Sequence, residues 1–259
     1  MTLPLAGAHA VISGGGTGIG AAIARRLWDG GAHVTLLGRR EEPLRVTASS
    51  LPPAATREAG YFTVDVSDES GVREAFERAR SARGPITILI NNAGLAQSAP
   101  AALATLAHWN AILAGNLTGL FLCTREFLSS LPKDARGRVV NIASTAGLKG
   151  YPYVSAYCAA KHAVIGYTRA VAVELARRPV TVNAVCPGYT ETSLLEDAIL
   201  KIVEVTGRST DEIRRELARL NPQNRFVDAA EVAAAAYWLC LPESAAMTGV
   251  AVPVAGGEV

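Results

Sequence analysis

Seven short runs of the chain are apolar or β-branched almost throughout, without the polar positions that would alternate along a half-exposed strand. They are 9–12 (HAVI), 33–37 (HVTLL), 61–64 (YFTV), 86–90 (ITILI), 138–142 (RVVNI), 180–185 (VTVNAV) and 250–254 (VAVPV). A strand with one face in water alternates, whereas a strand covered on both faces does not. Helical patterns fill the gaps, at about 18–29, 68–81, 103–130, 155–177 and 228–240. Repeated strand–helix–strand units of this kind predict a doubly wound α/β fold, with a parallel sheet covered by helices on both sides. No linker, composition shift or internal repeat divides the 259 residues, so one domain spanning 1–259 is expected.

One region departs from the alternation. Residues 193–226 hold two helical patterns with no strand between them. "STDE" predicts a capping box, with Ser209 as N-cap and Glu212 three positions on, and Ile213, Leu217 and Leu220 mark one helix face. The insertion follows the carboxyl end of a strand, where open α/β sheets bind ligands, so it is read as a helical substrate lid.

Composition narrows the partners. Formal net charge is +2 and 19% of residues are charged, with the arginines scattered, which argues against nucleic acid or an acidic membrane surface. The apolar run 232–241 is about half of what a membrane span needs, and the start "MTLPLAGAHA" has no basic leader, so a cytoplasmic protein is expected. Cys123, Cys158, Cys186 and Cys240 are dispersed, as are His9, His33, His108 and His162, and no metal site is expected from them.

The stretch "HAVISGGGTGIGAAIARRL" reads strand, glycine turn, helix. A helix start with unpaired N–H groups and a positive dipole end holds an anion, and glycine lets a pyrophosphate approach the backbone. No Lys-Ser/Thr follows, so this is not a Walker A loop, and the spacing is G-x-x-x-G-x-G through Gly14, Gly18 and Gly20. About twenty residues on, at the end of the second strand, an acid would bind a ribose 2′-hydroxyl and suit NAD. Here stand Arg39 and Arg40, which suit the 2′-phosphate of NADP, with Glu41 and Glu42 nearby as alternative partners for them.

The segment "SAYCAAKHAVIGY" carries Tyr157 and Lys161 four residues apart, neighbours on one helix face. An ammonium near a phenol favours the phenolate, and a tyrosine tuned in this way can give or take a proton. Ser144 closes the strand of "GRVVNIASTAG" with a hydroxyl able to polarise a carbonyl, and its setting is not the G-x-S-x-G of a serine hydrolase. Asn116 is a polar residue inside an apolar helical stretch, and "INNAG" and "NAVCPGYTET" close two further strands.

With these motifs in order, the chain resembles the classical short-chain dehydrogenase/reductase family over essentially its whole length. The resemblance implies a Rossmann-type fold with a mostly seven-stranded parallel sheet. Its catalytic tetrad falls on Asn116, Ser144, Tyr157 and Lys161. Its cofactor contacts fall on Ser13, Gly14, Gly16, Thr17, Gly18, Ile19, Gly20, Asp65, Val66, Asn92, Ala93, Gly94, Pro187, Gly188, Thr190 and Thr192, with Tyr157 and Lys161 also touching the cofactor. Ser13 replaces the family's threonine, and Thr17 stands where NADP-using members often carry a basic residue. The implied reaction interconverts a ketone and a secondary alcohol with NADP(H) favoured and NAD(H) as the alternative. The branch it looks most like acts on 3-oxoacyl or 3-hydroxyacyl thioesters and includes polyketide ketoreductases. A small cyclic, aromatic or sugar alcohol is the alternative substrate, and a silent dinucleotide-binding scaffold the alternative of another class. The intact tetrad argues against that scaffold, because a silent protein has no use for both Tyr157 and Lys161. Gln97, Tyr151, Tyr153 and Tyr189 are assigned to the substrate pocket, with packing as their alternative role. Arg208, Arg214, Arg215 and Arg219 read as a solvated helix face before a site for a CoA or carrier-protein phosphate. Family members commonly form homotetramers through two long helices and the C-terminal segment.

Overall fold

The computed structural model describes residues 3–55 and 57–259. Seven strands form one parallel sheet: β1 (His9–Ser13), β2 (His33–Gly38), β3 (Ala59–Thr63), β4 (Ile88–Asn91), β5 (Gly137–Ile142), β6 (Val180–Pro187) and β7 (Ala251–Val254). Their order is β3-β2-β1-β4-β5-β6-β7, so the direction of winding reverses between β1 and β4. A crevice opens at such a reversal, outside the carboxyl ends of the strands.

Successive strand residues point to opposite faces, and both faces are dry, which is why the runs lack alternation. Ala10, Ile12, Val34, Leu36, Val140 and Val185 pack under α1 (Gly18–Asp29), α2 (Glu41–Ser50) and α9 (Ala229–Cys240) through Ile23, Leu27, Leu44 and Leu239. Val11, Leu37, Leu89, Val139 and Val182 pack on the other face against Val72 and Phe76 of α3 (Glu69–Arg83), Leu122 and Phe127 of α5 (Gly119–Ser130) and Val171 of α6 (Ser155–Glu174).

Three features differ from expectation. Helix α2 has no counterpart in the sequence reading, because Pro43 and the run "VTASS" are poor helix signals; Pro43 is tolerated because it falls in the first turn, where no intrahelical N–H is needed. The helix expected over 103–130 starts later, at α4 (Leu106–Leu113), and joins α5 through a π-helical segment, Ala114–Thr118. Leu106–Ser130 is thus one 25-residue helical stretch with an 18-residue window of mean hydropathy 1.2, long and apolar enough to cross a membrane by those measures and longer than the 232–241 run. Its inward residues Ile112, Leu122, Cys123 and Phe127 are spent on the core.

The predicted lid forms as α7 (Ser193–Thr206) and α8 (Thr210–Ala218), and the capping box of Ser209 and Glu212 is present. Ile213 is buried with Leu195 and Ile199, and Leu217 is partly buried beside them. Leu220 is not on that face: it lies beyond the end of α8 and is exposed.

Candidate active site

The glycine turn after β1 is braced from β4. The Ser13 hydroxyl accepts from the backbone N–H of Asn92 at 3.0 Å and of Ala93 at 3.1 Å. The Asn92 amide in turn donates to the carbonyls of Ser13 at 3.1 Å and Gly14 at 3.0 Å. Ser13 and Asn92 therefore spend their side chains on the turn itself, and what the turn offers a ligand is backbone. Gly18 has φ of 52°, and a methyl there would meet Thr192 Cγ2 at 2.9 Å, so the base of the lid rests directly on the start of α1.

That helix start is unlike most others in the chain. Asp68, Thr105, Thr192, Ser209 and Asp228 each cap a helix with a side chain, whereas Thr17 makes no such bond at α1 and no acid stands in its first turn. Free N–H groups at an uncapped, acid-free helix end suit a pyrophosphate. Gly14, Gly16, Gly18, Ile19 and Gly20 therefore fit the phosphates of a dinucleotide.

At the ends of β2 and β3 a cavity of about 430 Å³ is lined by Arg39, Val64, Asp65 and Asp68, among others. The Asp65 carboxyl is held below its usual range, first by backbone and hydroxyl bonds from Ser67 and more weakly by the nearby Arg39 charge. Val66 is buried against Gly119. The acids named as alternative partners for Arg39 and Arg40 are engaged elsewhere: Glu42 pairs with Arg45 at 2.7 Å and Glu41 accepts from Tyr61 at 3.4 Å. Among the described residues neither Arg39 nor Arg40 has an ion-pair partner.

The chemical end forms where β4, β5 and β6 finish. Ser144 caps the 3₁₀ turn Thr145–Gly147, its oxygen accepting from Ala146 N at 3.1 Å, which leaves its proton free to donate. The turn lies flat on α6, because a methyl at Gly147 would be 2.6 Å from the Lys161 carbonyl. This places Ser144 against Tyr157. The Tyr157 ring packs with Ile112, Ala156 and Ala160. Burial pushes its phenol up to about 12, and Ser144 pulls it partly back.

Lys161 is the neighbour expected to lower the tyrosine. Its ammonium sits 5.5 Å from the centre of the Tyr157 ring and donates to the Ile142 carbonyl at 2.9 Å. An ammonium at that distance favours the phenolate, beside the Ser144 bond that lowers the phenol and the burial that outweighs it. Lys161 is 4% exposed, and burial lowers its own pKa from 10.5 to about 8.

Asn116 lies in the π-helical segment and causes it. Its Nδ2 donates to the Ile112 carbonyl at 2.9 Å, taking the acceptor that its backbone N–H would use in an α-helix, and to Leu95 O at 2.8 Å. Asn116 is 1% exposed and its Oδ1 has no partner among the described residues. A methyl at Gly94 would lie 2.6 Å from that oxygen and 3.7 Å from Lys161 Nζ. The orphan acceptor and the ammonium thus converge over Gly94, as a proton relay requires.

Beside them, Thr190 bonds to Gly188 O at 2.9 Å and Thr192 to Thr190 O at 3.2 Å, shaping the segment after Pro187. Of the four substrate-pocket candidates, Tyr151 and Tyr189 come together edge to face, with ring centres 6.3 Å apart. Tyr189 packs with the lid core, and the Tyr151 hydroxyl turns inward to Glu258. Tyr153 is 66% exposed with φ of 66°, and its carbonyl pins the loop of Gln97 through Ala99 N at 2.7 Å. Gln97 is exposed and joins none of the others. Arg208 and Arg214 are taken, by Glu216 at 2.6 Å and by Glu191 at 2.5 Å and Glu196, so only Arg215 and Arg219 remain for an anion. Sequence reasoning missed Glu258, Lys149 and Thr145; a lone acid after two glycines carries no local signal.

The family model described as short chain dehydrogenase matches residues 8–201. A protein named as a ketoacyl reductase from Streptomyces coelicolor is 37% identical over 252 residues, covering 96% of this chain and 95% of that one. The 3-oxoacyl-acyl-carrier-protein reductase of Aquifex aeolicus is 32% identical over 257 residues, covering 99% of each. The crystal structure of an actinorhodin polyketide ketoreductase variant with NADPH matches with a TM-score of 0.92 at 36% identity, covering 97% of both chains.

Proposed function

The chain belongs to the short-chain dehydrogenases, and from that premise we propose that it reduces the ketone of a 3-oxoacyl or polyketide-type thioester with NADPH. It is an NAD(P)-dependent oxidoreductase that interconverts a ketone and a secondary alcohol. The observation that carries the finer reading is the meeting of Ser144, Tyr157, Lys161 and Asn116 beside an uncapped helix start, with Arg39 and Arg40 after β2 free of ion pairs among the described residues. The relatives named for ketoacyl substrates, and the neighbour crystallised with NADPH, support the substrate class and the cofactor.

A bound nicotinamide supplies the hydride. The Ser144 hydroxyl donates to the substrate oxygen and draws electrons from the carbonyl carbon. Tyr157 holds a proton on its phenol at neutral pH, because burial keeps it at about 12, and passes that proton to the oxygen as it becomes an alkoxide. The proton is replaced from the Lys161 ammonium, by way of a water that the Asn116 acceptor would hold in the space over Gly94. A phenol that keeps its proton suits reduction. We read the assembly as a homotetramer, supported by the exposed Leu106, Trp109 and Phe121 on α4 and α5 and Val173 on α6; sedimentation at the mass of one 27.0 kDa chain would remove that part.

Fluorescence titration of the full chain with NADPH and NADH tests the cofactor. We expect NADPH to bind about tenfold tighter or more, and Arg39→Ala to erase most of the difference. Equal binding in the wild type would leave Arg39 and Arg40 as surface charges. Turnover of acetoacetyl-CoA then tests the substrate class, and reduction of cyclic ketones alone would move the reading to the small-alcohol branch.

A further inference from the structure

The segment after β7 turns back into the protein. Gly256 and Gly257, past β7, take φ of 61° and 94°, the left-handed region open to glycine. The turn brings Glu258 under the site, where its side chain is 1% exposed. One oxygen, Oε1, accepts from the Tyr151 hydroxyl and lies 3.1 Å from Lys149 Nζ, and Lys149 also donates to the Glu258 carbonyl at 3.2 Å. The one phenolic proton goes to the carboxylate, so Tyr151 accepts from Thr145, whose hydroxyl is 2.7 Å away. Thr145 is the neighbour of Ser144 in the chain. The other oxygen, Oε2, is enclosed without a partner among the described residues and packs against Gly188, where a methyl would meet it at 3.0 Å.

One carboxylate therefore holds the loop between Ser144 and α6 through Tyr151 and Lys149, with its second oxygen packed beside Gly188. Enclosing a charge with one oxygen unpaired costs stability. The expense is intelligible if the arrangement serves the site. Resting on the reading of that site given above, we infer that Glu258 is a positioning residue that sets substrate choice. By holding the Tyr151 hydroxyl inward, it leaves the paired rings of Tyr151 and Tyr189 as the surface offered to substrate, which suits a flat apolar group beside the reacting carbonyl. Burial first, and then the bond to Glu258, keep the Tyr151 phenol far above its ordinary range, so it stays protonated and does not compete with Tyr157 as the acid.

Steady-state reduction of 2-tetralone and of acetoacetyl-CoA by the full chain with NADPH tests this, using Glu258→Ala, Glu258→Gln and Tyr151→Phe. Glu258→Ala should raise KM for 2-tetralone about tenfold, with kcat and NADPH binding changing far less and acetoacetyl-CoA little affected. Glu258→Gln keeps an acceptor for Tyr151 and should restore most of the loss. The double variant Glu258→Ala/Tyr151→Phe should be no worse than Glu258→Ala alone, because the two act as one unit. Calorimetric binding of 2-tetralone gives the same comparison without turnover. A folded Glu258→Ala protein with wild-type KM and affinity would overturn the inference, as would an equal loss for both ketones together with NADPH. A wild type that turns over neither ketone would sink the functional reading instead, and the calorimetry would still decide this one.

Discussion

The two rims of the sheet each bury a base, and the two burials have opposite costs. At the amino-terminal rim His9 opens β1, with its ring nitrogens 3.0 Å from Gly84 O and 2.8 Å from Thr35 Oγ1. Burial lowers its pKa from 6.5 to about 4. At the carboxyl-terminal rim burial lowers Lys161 from 10.5 to about 8. The depressions are alike, but at neutral pH His9 is uncharged and both its nitrogens are satisfied, so its burial is nearly free. Lys161 is still charged at that pH, and the fold carries a penalty of about 3 kcal/mol for it. One rim is built for stability, and the other carries a cost where the chemistry is done.

The contrast is most exposed to failure at Tyr157. Tyr157→Phe removes the proton and leaves the packing, so kcat should fall by about 10²- to 10⁴-fold while dinucleotide binding and melting temperature stay near wild type. A variant that keeps turnover would show that the carboxyl-terminal rim is no more catalytic than the other. Lys161→Met should lose activity yet gain about 2 kcal/mol at pH 7 by urea unfolding, the relief of a buried charge less one lost bond to Ile142. In the wild type the unfolded chain binds more protons at Lys161 between pH 8 and 10.5, so that site's contribution to stability should rise with pH across this window and be flat in the variant. A loss of stability in Lys161→Met would mean that the lysine supports the fold. The smallest effect belongs to His9. Its folded pKa is also depressed, so the unfolded chain takes up its proton first as pH falls, and stability should drop by about 1 kcal/mol between pH 6.5 and 5.5. A His9→Gln protein showing the same drop would assign the acid sensitivity elsewhere.

What could be read in advance follows the same divide. The strands were legible because burial on both faces writes itself into consecutive residues, as in Ile88–Asn91 and Val180–Pro187. Tyr157, Lys161 and Ser144 were legible because each sits at a fixed distance from a strand end or a helix neighbour. Helix α2 was not, since its stability comes from Leu44 and the sheet beneath it rather than from its own residues. The bond between Tyr151 and Glu258 joins positions 107 residues apart, and no local pattern reports such a pair. The direction of the Lys161 ammonium, toward Ile142 O, also depends on where β5 ends relative to α6 and not on the four-residue spacing.

The π-helical segment has a consequence for the whole rod from Leu106 to Ser130. Each residue of an α-helix advances the side chains by about 100°, so a single widened turn resets the phase of everything that follows. Upstream, Ile112 faces the core; downstream, Leu122, Cys123 and Phe127 do, and Thr124 meets Asn91 at 2.9 Å. On a regular helix Ile112 and Cys123, eleven residues apart, would lie about 20° from one another, so the widened turn swings the downstream face away from the upstream one: Ile112 meets Ala156 and Ala160, whereas Leu122, Cys123 and Phe127 meet the sheet. The irregularity at Asn116 works as a gear change, letting one stripe of residues serve two neighbours along a single axis, with the site at the point where it turns.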